Sequence, residues 1–224
     1  MTTKVEKIVI YGDSDFAEQV YYQLESDDRY KVLAFTVDKE RFTQNNCLGL
    51  PVYPFQDINV HFRNEEIKVF VAIGYSKMNS IRENVSNEVI QKGFKLLTYI
   101  SKHAFIGQNV IIGDGCFICE FVSIKPGTVI EAGTIIFPNT SIGHSVKIEK
   151  YCYLSICIAV GGFSIIRNNC FLGMNSTIKN GITIAEKNII GSASNVVRST
   201  DPVGVYVGNP AKRMKDIELN NIRI

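Results

Sequence analysis

Residues 106–147 read IGQNVI IGDGCF ICEFVS IKPGTV IEAGTI IFPNTS IGHSVK when cut at every sixth position. Residues 148–196 continue IEKYCY LSICIA VGGFSI IRNNCF LGMNST IKNGIT IAEKNI IGSASN V. Every block opens on an aliphatic side chain, from Ile106 to Val196, sixteen in succession without one slip of register. Four places later comes a mostly small residue: Val110, Cys116, Val122, Thr128, Thr134, Thr140, Val146, Cys152, Ser164, Cys170, Ser176 and Ser194. Glycine often follows the aliphatic residue, as at 107, 113, 143, 161, 173 and 191. A period of six matches neither the 3.6-residue turn of an α-helix nor a hairpin array. It is the signature of a parallel β-helix built from hexapeptides. Three blocks make one triangular coil of about eighteen residues, so the stretch holds about five coils. The aliphatic side chains point into the prism, the small ones fit near its tight corners, and stacking buries a continuous column.

The first hundred residues are patterned differently. Residues 7–11 (KIVIY) form a short apolar run suited to a strand buried on both faces. Gly12, Asp13 and Ser14 turn the chain, and apolar residues at 16, 17, 20, 21 and 24 keep the spacing of one helix face. Residues 30–37 are expected as a second strand ending at Asp38. Residues 69–73 are expected as a third, ending at Gly74, and residues 80–92 as a second helix. This order predicts a βαβ unit with a parallel sheet, a small Rossmann-like α/β domain over residues 1–100. The solenoid then takes residues 101–200. A tail, 201–224, leaves the period with Pro202, Gly204, Gly208 and Pro210, then Lys212, Arg213 and Lys215. Its last residues are polar enough to fray, or to form a short helix over the open end of the solenoid.

The chain has 224 residues, 46% of them hydrophobic, and sets 24 Lys+Arg against 22 Asp+Glu. A net charge of +2 without basic clusters offers no nucleic-acid surface. The apolar runs are too short to span a bilayer and no basic-then-apolar leader opens the chain, so a cytoplasmic protein without a membrane partner is expected. Six cysteines, at 47, 116, 119, 152, 157 and 170, are expected as free thiols rather than as a disulfide framework. Cys116 and Cys119 have the spacing of half a zinc site. No second pair completes a tetrahedron, and the repeat explains most of the cysteines as small apolar residues, so no metal is expected.

The repeat, closed by Val207-Gly208-Asn209-Pro210-Ala211-Lys212, resembles the left-handed β-helix acyltransferases, many of which end on V-G-x-P-A-K. With a βαβ domain in front, the chain is similar to the branch of sialic-acid O-acetyltransferase-like and bacterial sugar-nucleotide N-acetyltransferases. That branch includes the enzyme that acetylates a UDP-4-amino-sugar in bacillosamine synthesis. The resemblance covers nearly the whole chain. It implies a homotrimer, acetyl-coenzyme A held along the solenoid between neighbouring subunits, and a nucleotide sugar on the N-terminal domain. Handedness and trimerisation come from the resemblance and not from the period.

Of the three histidines, His61, His103 and His144, the last lies two places after an inward aliphatic residue and should point outward at a coil edge. Attack of an amine on a thioester needs a base for the nitrogen's proton, and imidazole, titrating near neutrality, suits that task. In the resembled enzymes a histidine at this place is the general base, which singles out His144; the plain alternative is a solvated surface histidine. Those enzymes often put an acidic residue directly after it. Here Ser145 stands instead, able to orient the ring but adding no charge, and Glu120 and Glu131 are the candidates to supply a carboxylate across the stack or from a neighbour. A second family histidine, which contacts the acetyl group, falls on Tyr153, which donates a hydrogen bond there or only packs. Gly162, Met174 and Ser192 match positions lining the coenzyme channel. Lys212 and Arg213 suit the phosphates of coenzyme A, or solvent.

In the first domain, Tyr11-Gly12-Asp13-Ser14-Asp15-Phe16 takes the place of a phosphate loop but has one glycine, so no dinucleotide site is read from it. The resembled branch commonly reads G-x-S-G-H/F, and Asp15 departs from a glycine. Asp13 and Asp15 would repel a pyrophosphate unless they face away. Gly12 and Ser14, with a helix N-terminus behind them, remain suitable for a nucleotide or sugar oxygen. Asp38 stands where the family contacts the nucleoside, or is a strand-end turn residue. After the third strand, where open α/β sheets bind ligands, Gly74 permits close approach, Tyr75 suits stacking on a base and Lys77 suits a diphosphate. Arg82 on the following helix serves the same charge or is solvated.

The reading that follows is an acetyl-coenzyme A-dependent N-acetyltransferase of a nucleotide-linked 4-amino or 3-amino sugar for bacterial surface glycans. His144 acts as base in a direct attack, because no cysteine sits in an activated setting for a covalent intermediate. O-acetylation of a sugar hydroxyl on the same scaffold is the first alternative, less suited because a hydroxyl needs a stronger base. A solenoid without catalysis is the second, against which His144 and the closing loop argue.

Overall fold

The structure is a computed structural model and describes residues 5–63 and 65–214. The chain divides into two units, one reaching to Gly74 and including Asn84–Leu97, the other made of Tyr75–Glu83 and everything from Thr98. The segment Tyr75–Glu83 therefore belongs with the solenoid, although it lies inside the first hundred residues.

The first unit is built on a six-stranded sheet. Its strands are β1 (Glu6–Tyr11), β2 (Tyr30–Val37), β3 (Asn46–Cys47), β4 (Leu50–Pro54), β5 (Ile67–Val71) and β6 (Lys95–Leu96). Their order is β3-β4-β2-β1-β5-β6. β1 pairs in parallel with β2 and β5, as the βαβ pattern requires, and α1 (Asp15–Glu25) makes the first crossover. Ile8, Val9, Ile10, Ala34, Phe35 and Val69 are fully or almost fully buried, which accounts for their unbroken apolar runs. The sequence pattern did not disclose the antiparallel β3–β4 hairpin. Leu48 and Gly49, with φ of 51° and 82°, make its two-residue turn. A hairpin of this kind needs two left-handed residues, and Leu48 is an uncommon choice for the first. Two cavities of about 480 and 590 Å³ open beside the amino-terminal ends of β1, β5 and β6, lined by Glu6, Lys7, Glu65 and Lys95 among others. Ligands of open α/β sheets bind at the opposite, carboxyl ends.

The second unit is a left-handed parallel β-helix. Two-residue strands stack in parallel eighteen residues apart on three faces: Ile118 over Ile136 on the first, Ile124 over Ile142 on the second and Ile130 over Ile148 on the third. Every block-opening residue from Ile118 to Val196 is buried, whereas Ile106 and Ile112, in the first coil, are only half covered. The stack starts earlier than the repeat suggested, with β7 (Tyr99–Ile100) pairing with Phe117–Ile118. It also ends later: Val205–Val207 adds in parallel to Ile189–Ile190, and Lys212–Arg213 folds back on it antiparallel. The expected terminal helix or frayed end falls largely on residues 215–224, outside the described residues.

Two ladders explain the period. Every sixth residue from Asn109 to Ala193 has φ between 53° and 73°, so each corner turns through one left-handed residue. Glycine fills four of these places, and Phe121, Tyr151, Cys157 and Phe163 adopt the same conformation against their preference. The small residues form the other ladder. Thr128, Thr134, Thr140 and Ser164 donate their hydroxyls to the carbonyl fifteen residues on, at 2.9 to 3.2 Å. Cys116, Cys152 and Cys170 donate their thiols in the same way, at 3.3, 3.0 and 3.1 Å. At these seven places the small residue is a donor, whereas Val110, Val122 and Val146 fill the same place with apolar side chains. Among the described residues no helix is long and apolar enough to cross a membrane.

Candidate active site

His144 sits at the corner between the strand Ser141–Ile142 and the strand Lys147–Ile148. The left-handed Ser145 (φ 57°) turns the chain directly after it, which throws the imidazole outward to solvent. One coil on, the same place is held by Gly162, where an added Cβ would stand 2.9 Å from His144 Nε2. Gly143 is equally confined, since a Cβ there would meet the Gly162 nitrogen at 2.5 Å. The two glycines let the coils close up and leave Nε2 without a side chain above it. Phe163 supplies the ring's neighbour, edge to face at 4.6 Å between centroids. The corner therefore presents one accessible imidazole nitrogen beside exposed backbone, an arrangement able to accept a proton from a bound nucleophile.

No carboxylate of the described residues completes a dyad at this corner. The Ser145 hydroxyl lies toward Gly127, 3.5 Å from where a Cβ on that glycine would stand. Glu131 belongs to a second corner, where it pairs with Lys147 Nζ at 2.9 Å. Its carboxylate holds the Lys147 ammonium above the usual lysine range. Glu149 extends the network, binding Arg167 at 2.7 Å. Glu120 follows the strand Phe117–Ile118 and so belongs to the third corner. Within one chain, neither Glu120 nor Glu131 shares a corner with His144.

The expected coenzyme residues divide the same way. Gly162 is at the histidine corner. Met174 and Ser192 are exposed at the third corner, that of Glu120. Tyr153 lies on the first face, in an aromatic stack: Phe171 is parallel to it at 5.5 Å, Tyr75 meets it edge-on at 5.2 Å and Phe137 is at 5.3 Å. Burial pushes the Tyr153 hydroxyl above the ordinary tyrosine range. Lys212 and Arg213 are exposed on the closing strand, Arg213 donating to the Val203 carbonyl at 3.0 Å.

In the first unit, Gly12 ends β1 with φ of 117°, and a Cβ would touch the Ala72 carbonyl at 3.0 Å, so only glycine fits the turn. Ser14 caps α1 by its backbone position alone. Its hydroxyl makes no capping bond and faces solvent. Asp13 is close enough to Cys47 for its charge to help burial raise that thiol. Asp38 accepts a hydrogen bond from the Tyr11 hydroxyl, and this bond adds to burial in pushing the Tyr11 phenol far above its ordinary range. Gly74 has open space where a side chain would be.

Tyr75 and Arg82 depart from their sequence reading. Tyr75 packs its ring on Tyr153 and Phe171 of the solenoid rather than standing free for a base, while Lys77 is exposed. Arg82 is 2% exposed, neither solvated nor open to a ligand. The available signal was spacing: Arg82, Ser86 and Val89 are all buried and fall on one stripe of α2 (Ser80–Gln91). Burial also pushes the Cys116 thiol up to about 12 and the Cys119 thiol higher, which suits neither nucleophile nor metal ligand. No group of three His, Cys, Asp or Glu among the described residues could hold a metal ion.

Comparison with known proteins finds relatives of the same fold. Residues 7–89 fit the family described as the PglD N-terminal domain. GDP-perosamine N-acetyltransferase of Escherichia coli O157:H7 is 30% identical over 153 residues, 65% of this chain and 66% of that one. PerB from Caulobacter crescentus, solved with CoA and GDP-perosamine, superimposes with a TM-score of 0.84 at 24% identity over 96% of this chain and 100% of that chain. The chain is similar to the hexapeptide-repeat acyltransferases, and among them to sugar-nucleotide N-acetyltransferases. The acetyltransferase domain of PglB from Neisseria gonorrhoeae, solved with acetyl coenzyme A, has the same fold, with a TM-score of 0.83 at 21% identity over 94% of this chain and 100% of that one. Further structures of the Caulobacter crescentus perosamine enzyme carry one histidine replaced by asparagine or alanine. This hexapeptide-repeat protein spans about six-tenths of the length of the first curated relatives it matches.

Proposed function

We propose that this protein transfers an acetyl group from acetyl-coenzyme A to the amino group of a nucleotide-linked sugar. The observation that carries the reading is the His144 corner, an exposed imidazole whose Nε2 is kept bare by Gly162. Relatives that act on GDP-perosamine, and that have been crystallised with CoA and with a histidine replaced, support the reading.

In this mechanism His144 takes the proton from the sugar's nitrogen as that nitrogen attacks the thioester carbonyl. The C–N bond forms, the C–S bond breaks, and His144 returns the proton to the leaving sulfur. No covalent adduct with the protein is formed. Gly12, Ser14 and Asp38 are assigned to the nucleotide sugar, Lys77 to its diphosphate, and Gly162, Met174, Ser192, Lys212 and Arg213 to the coenzyme. Gly74 gives the substrate room, and Tyr75 and Tyr153 support the site by packing. Gly162 and Met174 lie at different corners of one prism, so a coenzyme touching both is held by two copies of the chain. A homotrimer in the cytoplasm satisfies this. Phe105, Ile111, Phe121 and Phe163, each more than half exposed, provide apolar surface for such packing.

The test is a thiol-release assay with acetyl-coenzyme A against GDP-, UDP- and dTDP-linked 4-amino and 3-amino sugars, plus free sialic acid. Release with one amino sugar, together with an acetyl mass gain on it, is the expected result. Release only with the hydroxyl acceptor would replace the N-acetyl reading by an O-acetyl one.

A further inference from the structure

The segment Tyr75–Glu83 contains three successive left-handed residues, none of them glycine: Lys77 at φ 48°, Met78 at 54° and Asn79 at 61°. Each such residue is strained, and a run of three persists only when its surroundings over-determine it. The surroundings here are specific. Ser80 donates its backbone N–H and its hydroxyl to the Lys77 carbonyl at 3.2 and 2.7 Å. Asn79 Nδ2 donates to the Cys170 carbonyl at 3.2 Å and its Oδ1 accepts from Arg82 Nη1 at 3.1 Å. The same guanidinium donates to the Gly133 carbonyl at 3.2 Å and to those of Tyr151 and Cys152 at 3.3 Å. Gly133, Tyr151–Cys152 and Cys170 lie on three successive coils, so Arg82 and Asn79 together bolt the turn across them.

Stability alone is a poor account of this arginine. A buried charge carries a desolvation cost that an apolar side chain of similar volume would avoid, and buried ionic groups are best attested as devices of specificity. What the arginine adds is geometry, because its planar fork serves several acceptors at once, as a lysine ammonium on a flexible stem does not. The end of the turn that it holds is exposed at Ser76 and Lys77.

We propose that Arg82 is a positioning residue that fixes the strained turn on the solenoid carrying His144, so that Lys77 meets the diphosphate of the nucleotide sugar from a set place. This rests on the function proposed above. Arg82→Lys should raise the KM for the nucleotide sugar tenfold or more and leave that for acetyl-coenzyme A within twofold. Lys77→Ala should do the same, and the double variant should be no worse than Lys77→Ala alone, since both act through one contact. Unchanged KM for the nucleotide sugar, or effects that multiply, would overturn the proposal. Should Arg82→Lys fail to fold, Asn79→Ala, which severs the same link, takes its place. If the wild-type protein acetylates no amino sugar, amide hydrogen exchange decides separately. Faster exchange at residues 76–80 in the variant, with the His144 corner unchanged, supports the fixing role; unchanged exchange at 76–80 refutes it.

Discussion

The two units differ in how often each contact is made. In the β-helix an inward aliphatic residue and a left-handed corner recur block after block, and at many blocks a small donor reaches fifteen residues on, so the sequence states the arrangement many times over. In the α/β unit each contact is made once. β5 begins at Ile67, two residues before its apolar run begins, and the β3–β4 hairpin turns on Leu48 and Gly49 with no recurring signal to announce it. Repetition made the solenoid legible; its absence hid the edges of the other unit.

The largest effect expected concerns chemistry placed on the repeat. His144→Asn should lower acetyl transfer by roughly 10² to 10⁴-fold, the span of general-base catalysis. The fold should stay intact, because the ring is exposed and held by little more than Phe163. Turnover by the asparagine variant within a few fold of wild type, measured by thiol release, would remove His144 from the mechanism.

The next effect separates the units by cooperativity. Ile148 and Ile10 are both fully buried, and truncation of either to alanine should cost about 2–5 kcal/mol. Coils touch only their neighbours, so Ile148→Ala should loosen the stack locally. The Glu131 amide, which donates to the Ile148 carbonyl at 2.8 Å, should exchange faster while that of Lys179 does not change. Ile10→Ala should instead lower protection across the whole α/β sheet. Uniform loss after Ile148→Ala would show that the solenoid unfolds as one unit and would erase the contrast.

The site was less legible than the fold, for a related reason. The period says that His144 faces outward and that Gly162 stands one coil away, but it was the resemblance, not the period, that singled out either residue. Partners set by tertiary packing were not visible. Arg82 reads as an ordinary surface charge until the carbonyls of Gly133, Tyr151 and Cys152 are brought around it. Tyr75 reads as a free aromatic ring until Tyr153 and Phe171 meet it. Glu131 looked available to the histidine because a linear sequence does not show which corner of a prism a residue occupies.

The donor ladder gives a smaller, pH-dependent effect. Cys116 has its thiol raised from 9.0 to about 12 by burial, so the folded chain keeps a proton that the unfolded chain loses first. A raised value means that the stability tied to this group is complete below pH 9 and is lost as pH rises toward 12. At pH 10 the loss is about 1 kcal/mol for one such thiol. Cys116→Thr keeps a donor of the kind found at Thr128 and Thr134 but cannot ionise, so its Tm should fall less than that of wild type between pH 8 and pH 10. Equal falls would mean that the remaining buried thiols, or another group, govern the alkaline limb.

The smallest effect tests the corner ladder in both directions at once. Ala193 occupies a left-handed corner at φ 57°, where its Cβ is strained; Gly181 occupies the equivalent corner at φ 71° with nothing within 4 Å of a Cβ added there. Left-handed backbone costs an ordinary residue about 1–2 kcal/mol, offset in part by the roughly 0.5–1 kcal/mol of extra chain entropy that glycine loses on folding. Ala193→Gly should therefore raise stability by about 0.5 kcal/mol and Gly181→Ala lower it by a similar amount, read from urea midpoints at constant m. Opposite signs would establish the corner conformation itself as the cost, because packing around Gly181 is open. If both substitutions destabilise, the side chain at 193 contributes a contact that outweighs its strain, and the corners are not interchangeable as the repeat implies.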